Sequence, residues 1–507
     1  MHPNWRKSWL FIMKKFWMKL CHSPFFWLGL LYFFTAKGHL EIIDTEYSLR
    51  TAVAIIEDGS MLIEPPNSSV LLNTPVIESD GKIYSQYGIG ILGIFIPLIW
   101  VAKIISSLFI QDESLVTNFL LSFYNIPFAL LGLWHFKRIL EHLGQGKEKA
   151  EFLMICLGIC TIFWKYVVTD FSEVTQIAFL LGAVSSCILK EEKNRWLKVS
   201  AYLSLLILMK LVYVVILPPF IILAVKNGIK HKTITKNILA GIVLLFPTAI
   251  LLMYVNWIRF GSILQSGYGN HQSAFSLHYL SRDCLDYIIS LDRGIFPYTP
   301  LILFIPIFLK KFYAKDKSSF FLIFSICTIF YLMSASWIGW KGGYCWGNRT
   351  LVPVVPLLLT TLAYMDWGKK WQQKILLLLI LISLPIQIIA VSLKTYEWSI
   401  LHIKLQDLTD TYYGLNELEG SIKLFVEKLR NASGIYETKK FITADQQTID
   451  LTNYESFNGY NYWLVHGSKL FLPNHTQQIS LITLLCTIFL CMFILWKSFN
   501  KVVNQNQ

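Results

Sequence analysis

Apolar blocks of roughly 20 residues, the length a helix needs to cross a bilayer, alternate along the chain with short stretches rich in Lys and Arg. About a dozen such blocks can be read, and they predict an all-α polytopic membrane protein of about 12 transmembrane helices. Residues 1–20 mix Arg6, Lys7, Lys14, Lys15 and Lys19 with Trp5, Trp9 and Trp17, a basic amphipathic pattern that suits the cytoplasmic surface. The first span falls at 21–36 and reads as an uncleaved anchor. It delivers residues 37–87 to the outer side, and this loop is rich in acids (Glu41, Asp44, Glu46, Glu57, Asp58) and poor in Lys and Arg.

Charge parity then constrains the path. If the apolar runs 88–110 and 115–136 both crossed, the basic stretch 137–149 would lie outside, against the positive-inside rule. The simplest repair keeps 88–110 on the outer side, where Gly88, Gly90, Gly93 and Pro97 suit a bent or re-entrant segment. Every later span alternates correctly. The transmembrane core runs over 21–393, a polar outer segment over 394–478, and the last span and tail over 479–507, with both termini cytoplasmic in a plasma (inner) membrane.

Composition narrows the classes further. The 507 residues are 54% hydrophobic and 15% charged, and the mean hydropathy is +0.49. Soluble domains carry about 25% charged residues, so a soluble enzyme, a disordered chain and a disulfide-stapled secreted domain are excluded. The net charge, 45 − 32 = +13, sits in loops between apolar blocks, where it orients helices, and nucleic acid is not an expected partner. The nine cysteines are scattered without zinc-type spacing.

The candidate chemistry gathers on the outer face. Asp44, with Glu46 two residues on, fits two readings: a general base on an acceptor hydroxyl or amine, and the N-cap of a short amphipathic helix from Tyr47. Asp170 and Glu173 form a second acidic pair at a helix start, where capping is the alternative. Lys210 interrupts an apolar run and calls for an anion, an aqueous cavity or snorkelling to the surface. Arg293 and Arg349 stand just before spans, amid Gly, Pro and aromatics, and each offers a planar fork for phosphate or carboxylate.

Taken together, 26–359 resembles the GT-C superfamily, multi-span glycosyltransferases that take a sugar from a polyprenyl-phosphate carrier. Asp44 matches that family's catalytic Asp after the first span, 88–110 matches its outer juxtamembrane helices, and Asp170 with Glu173 matches its second acidic position. Met209-Lys210 is similar to the Thr-Lys hairpin tip of the aminoarabinose and protein O-mannosyl branches. Lys82 stands where those branches have Lys-Pro-Pro, without the prolines. The resemblance implies a polyprenyl-phosphate-linked sugar donor in the lipid bilayer, an acceptor glycan, lipid or protein, and a single displacement. In it Asp44 serves as base, Glu46, Asp170 and Glu173 support it or meet the acceptor, and Lys210, Arg293, Arg349 and Lys82 hold the phosphate. No cofactor is expected; a divalent metal on the acidic pairs, as in oligosaccharyltransferases, is the variant, although their Trp-Trp-Asp motif is absent. The rival class is a lipid-linked sugar flippase or small-solute transporter, which would be expected to carry repeat symmetry and midplane polar groups.

Overall fold

The computed structural model describes residues 23–63, 76–79, 82–109, 111–189, 194–265, 275–337, 345–395, 397–398, 416–432, 440–442, 448–450, 460–472 and 475–504. The basic segment 1–20 lies outside the described residues, as does much of 394–478. Helices dominate. Two short antiparallel hairpins, Val76–Ser79 with Lys82–Ser85 and Lys440–Ile442 with Thr448–Asp450, both fall in outer stretches. Seven of the described helices are long and apolar enough to cross a membrane, and three further apolar helices have 10–17 residues.

The first elements are α1 (Pro24–Thr35), with Pro at its start, and α2 (Ile43–Asp58), which ends at Gly59 in the left-handed region. Helix α2 begins before Asp44, with Ile42 at the capping position and no side-chain cap of its own. Asp44 is therefore inside the first turn and is not the N-cap allowed for in the sequence; its side chain is available for other partners.

The run that follows Tyr87 is helical over its described length. A single 3₁₀ turn, Ile89–Ile91, leads into an uninterrupted α3 (Leu92–Phe109) in spite of Pro97. With its leading turn, α3 is long and apolar enough to span a bilayer. The apolar run that follows is broken at 122–124 into α4 (Glu113–Leu121), capped by Asp112, and α5 (Asn125–His142). The contacts fix where these elements point. Asp44, Ile91 and Tyr124 all line one cleft. At the far end Lys103 of α3 meets Glu57 of α2 at 3.3 Å and Glu113 of α4 at 3.6 Å. On the return, Phe95 and Tyr124 rings meet at 5.4 Å. The α3–α4 hairpin therefore leaves the cleft and comes back to it, and adds no net crossing. Helices α3 and α4 thus form a returning hairpin.

The core is built by α5, α6 (Lys147–Ile159), α7 (Phe163–Val167), α8 (Glu173–Ile188) and α9 (Arg195–Met209), flanked by α10 (Leu217–His231) and α11 (Ile234–Phe260). Helix α8 is buried on all sides between α5 and α9, which explains its continuous apolar sequence. Helix α11 instead leaves Ile242, Phe246 and Ile250 exposed, as a lipid-facing helix does.

The glycines at the head of α3 serve close approach. A Cβ on Gly88 would lie 2.2 Å from the Met209 carbonyl oxygen, and one on Gly90 2.6 Å from the Met209 nitrogen. Backbone thus packs directly on the last turn of α9, next to Lys210.

Candidate active site

The cleft lies where the starts of α2 and α3 meet the end of α9 and the 3₁₀ turn Arg349–Val354, and is partly open to solvent. Its base is set by the loop 169–171. Asn125 donates to the carbonyls of Thr169 and Phe171 at 2.8 Å each. Thr45 and Tyr124 hydroxyls donate to the Asp170 carbonyl at 2.6 and 3.0 Å. The Asp170 carboxylate faces away from the cleft and accepts the backbone N–H groups of Glu41 and Ile42, both at 3.0 Å. These are orphan donors at the start of α2, so Asp170 caps that helix from another loop. Burial pushes its carboxyl up to about 6, against the opposing pull of the two N–H groups.

Asp44 projects from the first turn of α2 into the cleft. Tyr87 donates its hydroxyl to Oδ1 at 2.5 Å, and Arg349 donates Nη2 to Oδ2 at 2.6 Å. Burial pushes the carboxyl up, but the Arg349 guanidinium and the Tyr87 hydroxyl outweigh it and hold the group below its ordinary value. An ionised carboxylate has about four lone-pair sites, and two donors leave room for a substrate proton.

Arg349 is placed by its neighbours. Asn348 accepts from the backbone N–H of Leu351 at 3.3 Å and so caps the turn that Arg349 opens. The guanidinium lies over the Phe171 ring at 4.2 Å. Its Nε donates to Glu173 Oε1 at 2.6 Å while Nη2 reaches Asp44. Glu173 is buried, and its second oxygen has no hydrogen-bond partner among the described residues. One cation thus serves two carboxylates.

Lys210 is the first residue after α9, with extended backbone at φ −158°. Its side chain lines the cleft with Asp44 and Arg349 and, among the described residues, makes no hydrogen bond or ion pair. A polar cleft of this kind is one setting that a lysine interrupting an apolar run can occupy.

The remaining sequence candidates fall elsewhere. Lys82 is exposed on its hairpin strand and does not line the cleft. Glu46 pairs with Arg50 at 2.9 Å on the face of α2. Arg293 is buried away from the cleft, 3.4 Å from Glu417 of the helix Glu417–Ala432 and 3.7 Å from the Cys345 sulfur. Burial pushes the Glu417 carboxyl up to about 7, with Arg293 pulling it down. The structure adds residues that sequence reasoning passed over. Tyr87 is one; its only signal was a polar tyrosine directly before the glycines of the α3 head. Lys37 and Lys165 are others, both buried. Lys37 donates to the Val391 and Asn461 carbonyls at 2.5 and 3.0 Å, and Lys165 to the Leu393 carbonyl at 2.9 Å. Through Asn461, Lys37 joins the segment 394–478 to the core, and the Lys428–Glu397 pair at 2.6 Å closes within that segment.

No family model matches the sequence, and no sequence among the curated proteins matches it. Among solved structures, the chain is similar to ArnT from Cupriavidus metallidurans bound to undecaprenyl phosphate, at 11% identity and a TM-score of 0.49, over 92% of this chain and 75% of that one. It is also similar to the Archaeoglobus fulgidus oligosaccharyltransferase tethered with an acceptor peptide, at 10% identity and a TM-score of 0.49, over 76% of this chain and 57% of that one. Likeness at this level transfers neither substrate nor catalytic residues.

Proposed function

We propose that the chain is an integral membrane glycosyltransferase that moves a sugar from a polyprenyl-phosphate carrier to an acceptor hydroxyl or amine on the outer face. The observation that carries this reading is the cleft itself. An ionised Asp44 with open lone pairs and a Lys210 whose side chain has no hydrogen-bond or ion-pair partner among the described residues face one space, at the ends of helices whose flanks are apolar. A base and a phosphate-seeking point charge are the two groups a single displacement needs. The bond from the anomeric carbon to the carrier phosphate breaks as the acceptor atom bonds to that carbon. The acceptor proton passes to Asp44, and the leaving phosphate gains a negative charge beside Lys210. Glu173 keeps Arg349 anchored while its Nη2 group holds Asp44.

Asp170 is turned to backbone N–H groups and Glu46 to Arg50, which leaves Asp44 as the carboxylate offered to the acceptor. The outer-face orientation and cytoplasmic termini follow from charge parity in the sequence.

The test is turnover in proteoliposomes of the full chain, with polyprenyl-monophosphate sugars labelled in the sugar and a membrane extract as acceptor. Wild type is expected to release the unsugared carrier phosphate and label an acceptor. Asp44→Asn keeps the shape but cannot take a proton, and loses about 10²–10⁴-fold. Glu46→Gln stays near wild type. Movement of intact labelled lipid across the bilayer, with no bond cleaved, would assign the chain to the carrier class instead.

A further inference from the structure

Asp44 is gripped from two opposite sides, and only one of them is an ion pair. Arg349 gives Nε to Glu173 and holds only Oδ2 of Asp44 through Nη2, while the Tyr87 hydroxyl holds Oδ1 at 2.5 Å. Tyr87 is itself fixed. Arg259, buried at the end of α11, donates Nη1 to the carbonyls of Ser85 and Tyr87, both at 3.0 Å, and Nη2 to Asn256 at 3.4 Å. The Ser85 hydroxyl accepts the Tyr87 backbone N–H at 3.3 Å. On the far side Gly88 lies against the Met209 carbonyl. The loop carrying Tyr87 is therefore pinned between α11 and the end of α9.

We propose that Tyr87, clamped by Arg259, is a positioning residue that holds Oδ1 of Asp44 in place and keeps its open lone pairs turned into the cleft. It is not the base. Burial, and then the Asp44 charge, push the Tyr87 hydroxyl far above its ordinary value, so it stays a proton donor throughout. The proposal rests on the transferase reading only for what Asp44 is aimed at; the geometry of the carboxylate stands apart from it.

The charged and titratable groups around Asp44 set the sign of the test. Arg349 holds it directly, Glu173 acts behind Arg349, and Lys210 faces it across the cleft. Glu46 and Arg50 pair with each other on its own helix, and Asp170 lies under the helix start. Tyr124 is bonded to the Asp170 carbonyl. Removing the Tyr87 hydroxyl leaves all of these in place and takes away one donor that favours the ionised carboxylate. The Asp44 pKa must then rise.

The experiment labels protonated carboxyls with a carbodiimide in the detergent-solubilised full chain, across a pH series, and follows the peptide carrying Asp44 by mass spectrometry. Tyr87→Phe is expected to raise the pH of half-labelling by about one unit, a tenfold change in proton affinity. Arg259→Lys shifts it the same way by less, and adds nothing in the Tyr87→Phe background because it acts through Tyr87. In turnover, Tyr87→Phe lowers kcat and moves the acidic limb of the rate profile upward, with the donor KM nearly unchanged. An unmoved half-labelling pH in Tyr87→Phe overturns the proposal, as does an additive shift in the double variant. If Tyr87→Phe does not fold, Arg259→Lys decides, and an unmoved value there overturns it equally. Labelling needs no turnover, so a chain that shows the shift but transfers no sugar would sink the transferase reading and leave the positioning role standing.

Discussion

Lys210 and Arg349 reach the same cleft as cations of different standing. Arg349 already neutralises parts of Asp44 and Glu173, at 2.6 Å each. Lys210 has no ion pair among the described residues, so an entering phosphate meets Lys210 as the uncompensated charge. A charged hydrogen bond contributes about 1.5–3 kcal/mol. Lys210→Ala is accordingly expected to raise the donor KM about 10–100-fold, that energy expressed as a ratio, while Lys210→Arg keeps most of the affinity. Donor titrations of both variants in the proteoliposome assay check this, and equal, wild-type values in both would mean that Lys210 only snorkels. Arg293 carries the opposite lesson. It stands before a span as Arg349 does, yet its partner is Glu417 of the outer segment, and it helps to hold that segment rather than the donor.

At the scale of elements, the cleft depends on how three chain segments abut. Helix α2 is fixed at its start by Asp170, the head of α3 by close contact with α9, and the Arg349 turn by Asn348. The contact of Gly88 with the Met209 carbonyl is the tightest of these, since an added Cβ would sit 2.2 Å from that oxygen. Gly88→Ala must therefore move either the Tyr87 loop or the end of α9 that leads into Lys210. It is expected to cost most of the turnover while the melting temperature falls only modestly, because the rest of the α5–α8–α9 packing is untouched. Turnover and thermal unfolding measured on the same preparation test the pair. Gly88→Ala with wild-type turnover would show that the cleft tolerates a displaced α3 head.

For the whole molecule, the returning α3–α4 hairpin decides the topology. Because Ile91 and Tyr124 meet at one cleft, the ends of α2 and α5 are expected on opposite sides of the membrane. A cysteine at Asp58 should label with an impermeant reagent from outside, and one at Lys147 only after permeabilisation. Both positions are exposed, so failure to react is not a matter of burial. Labelling of both from outside would break the hairpin reading and the outer placement of the cleft together.

The sequence by itself determined the solvent of this protein and the level of its chemistry. Runs of apolar residues admit only helices in lipid, and the bias of Lys and Arg sets loops inside. Those two constraints are one-dimensional, so they can be read along the chain, and they lead to the expectation that Asp44, Asp170, Glu173, Lys210 and Arg349 share one face. They also require 88–110 to make no net crossing. Which of those residues share a site was not legible, because each is a polar residue at the end of a helix and such residues have several partners within reach. Only the packed structure turned Asp170 to the backbone of Glu41 and Ile42, paired Glu46 with Arg50 and Arg293 with Glu417, and left Lys82 in solvent. It alone brought Tyr87 to Asp44 across 43 positions and Arg349 across 305. The reason is physical. Hydrophobic burial depends on residue type and survives as a pattern in the sequence, whereas a hydrogen bond or an ion pair depends on distances of under 4 Å, and in this fold those are set by elements hundreds of residues apart.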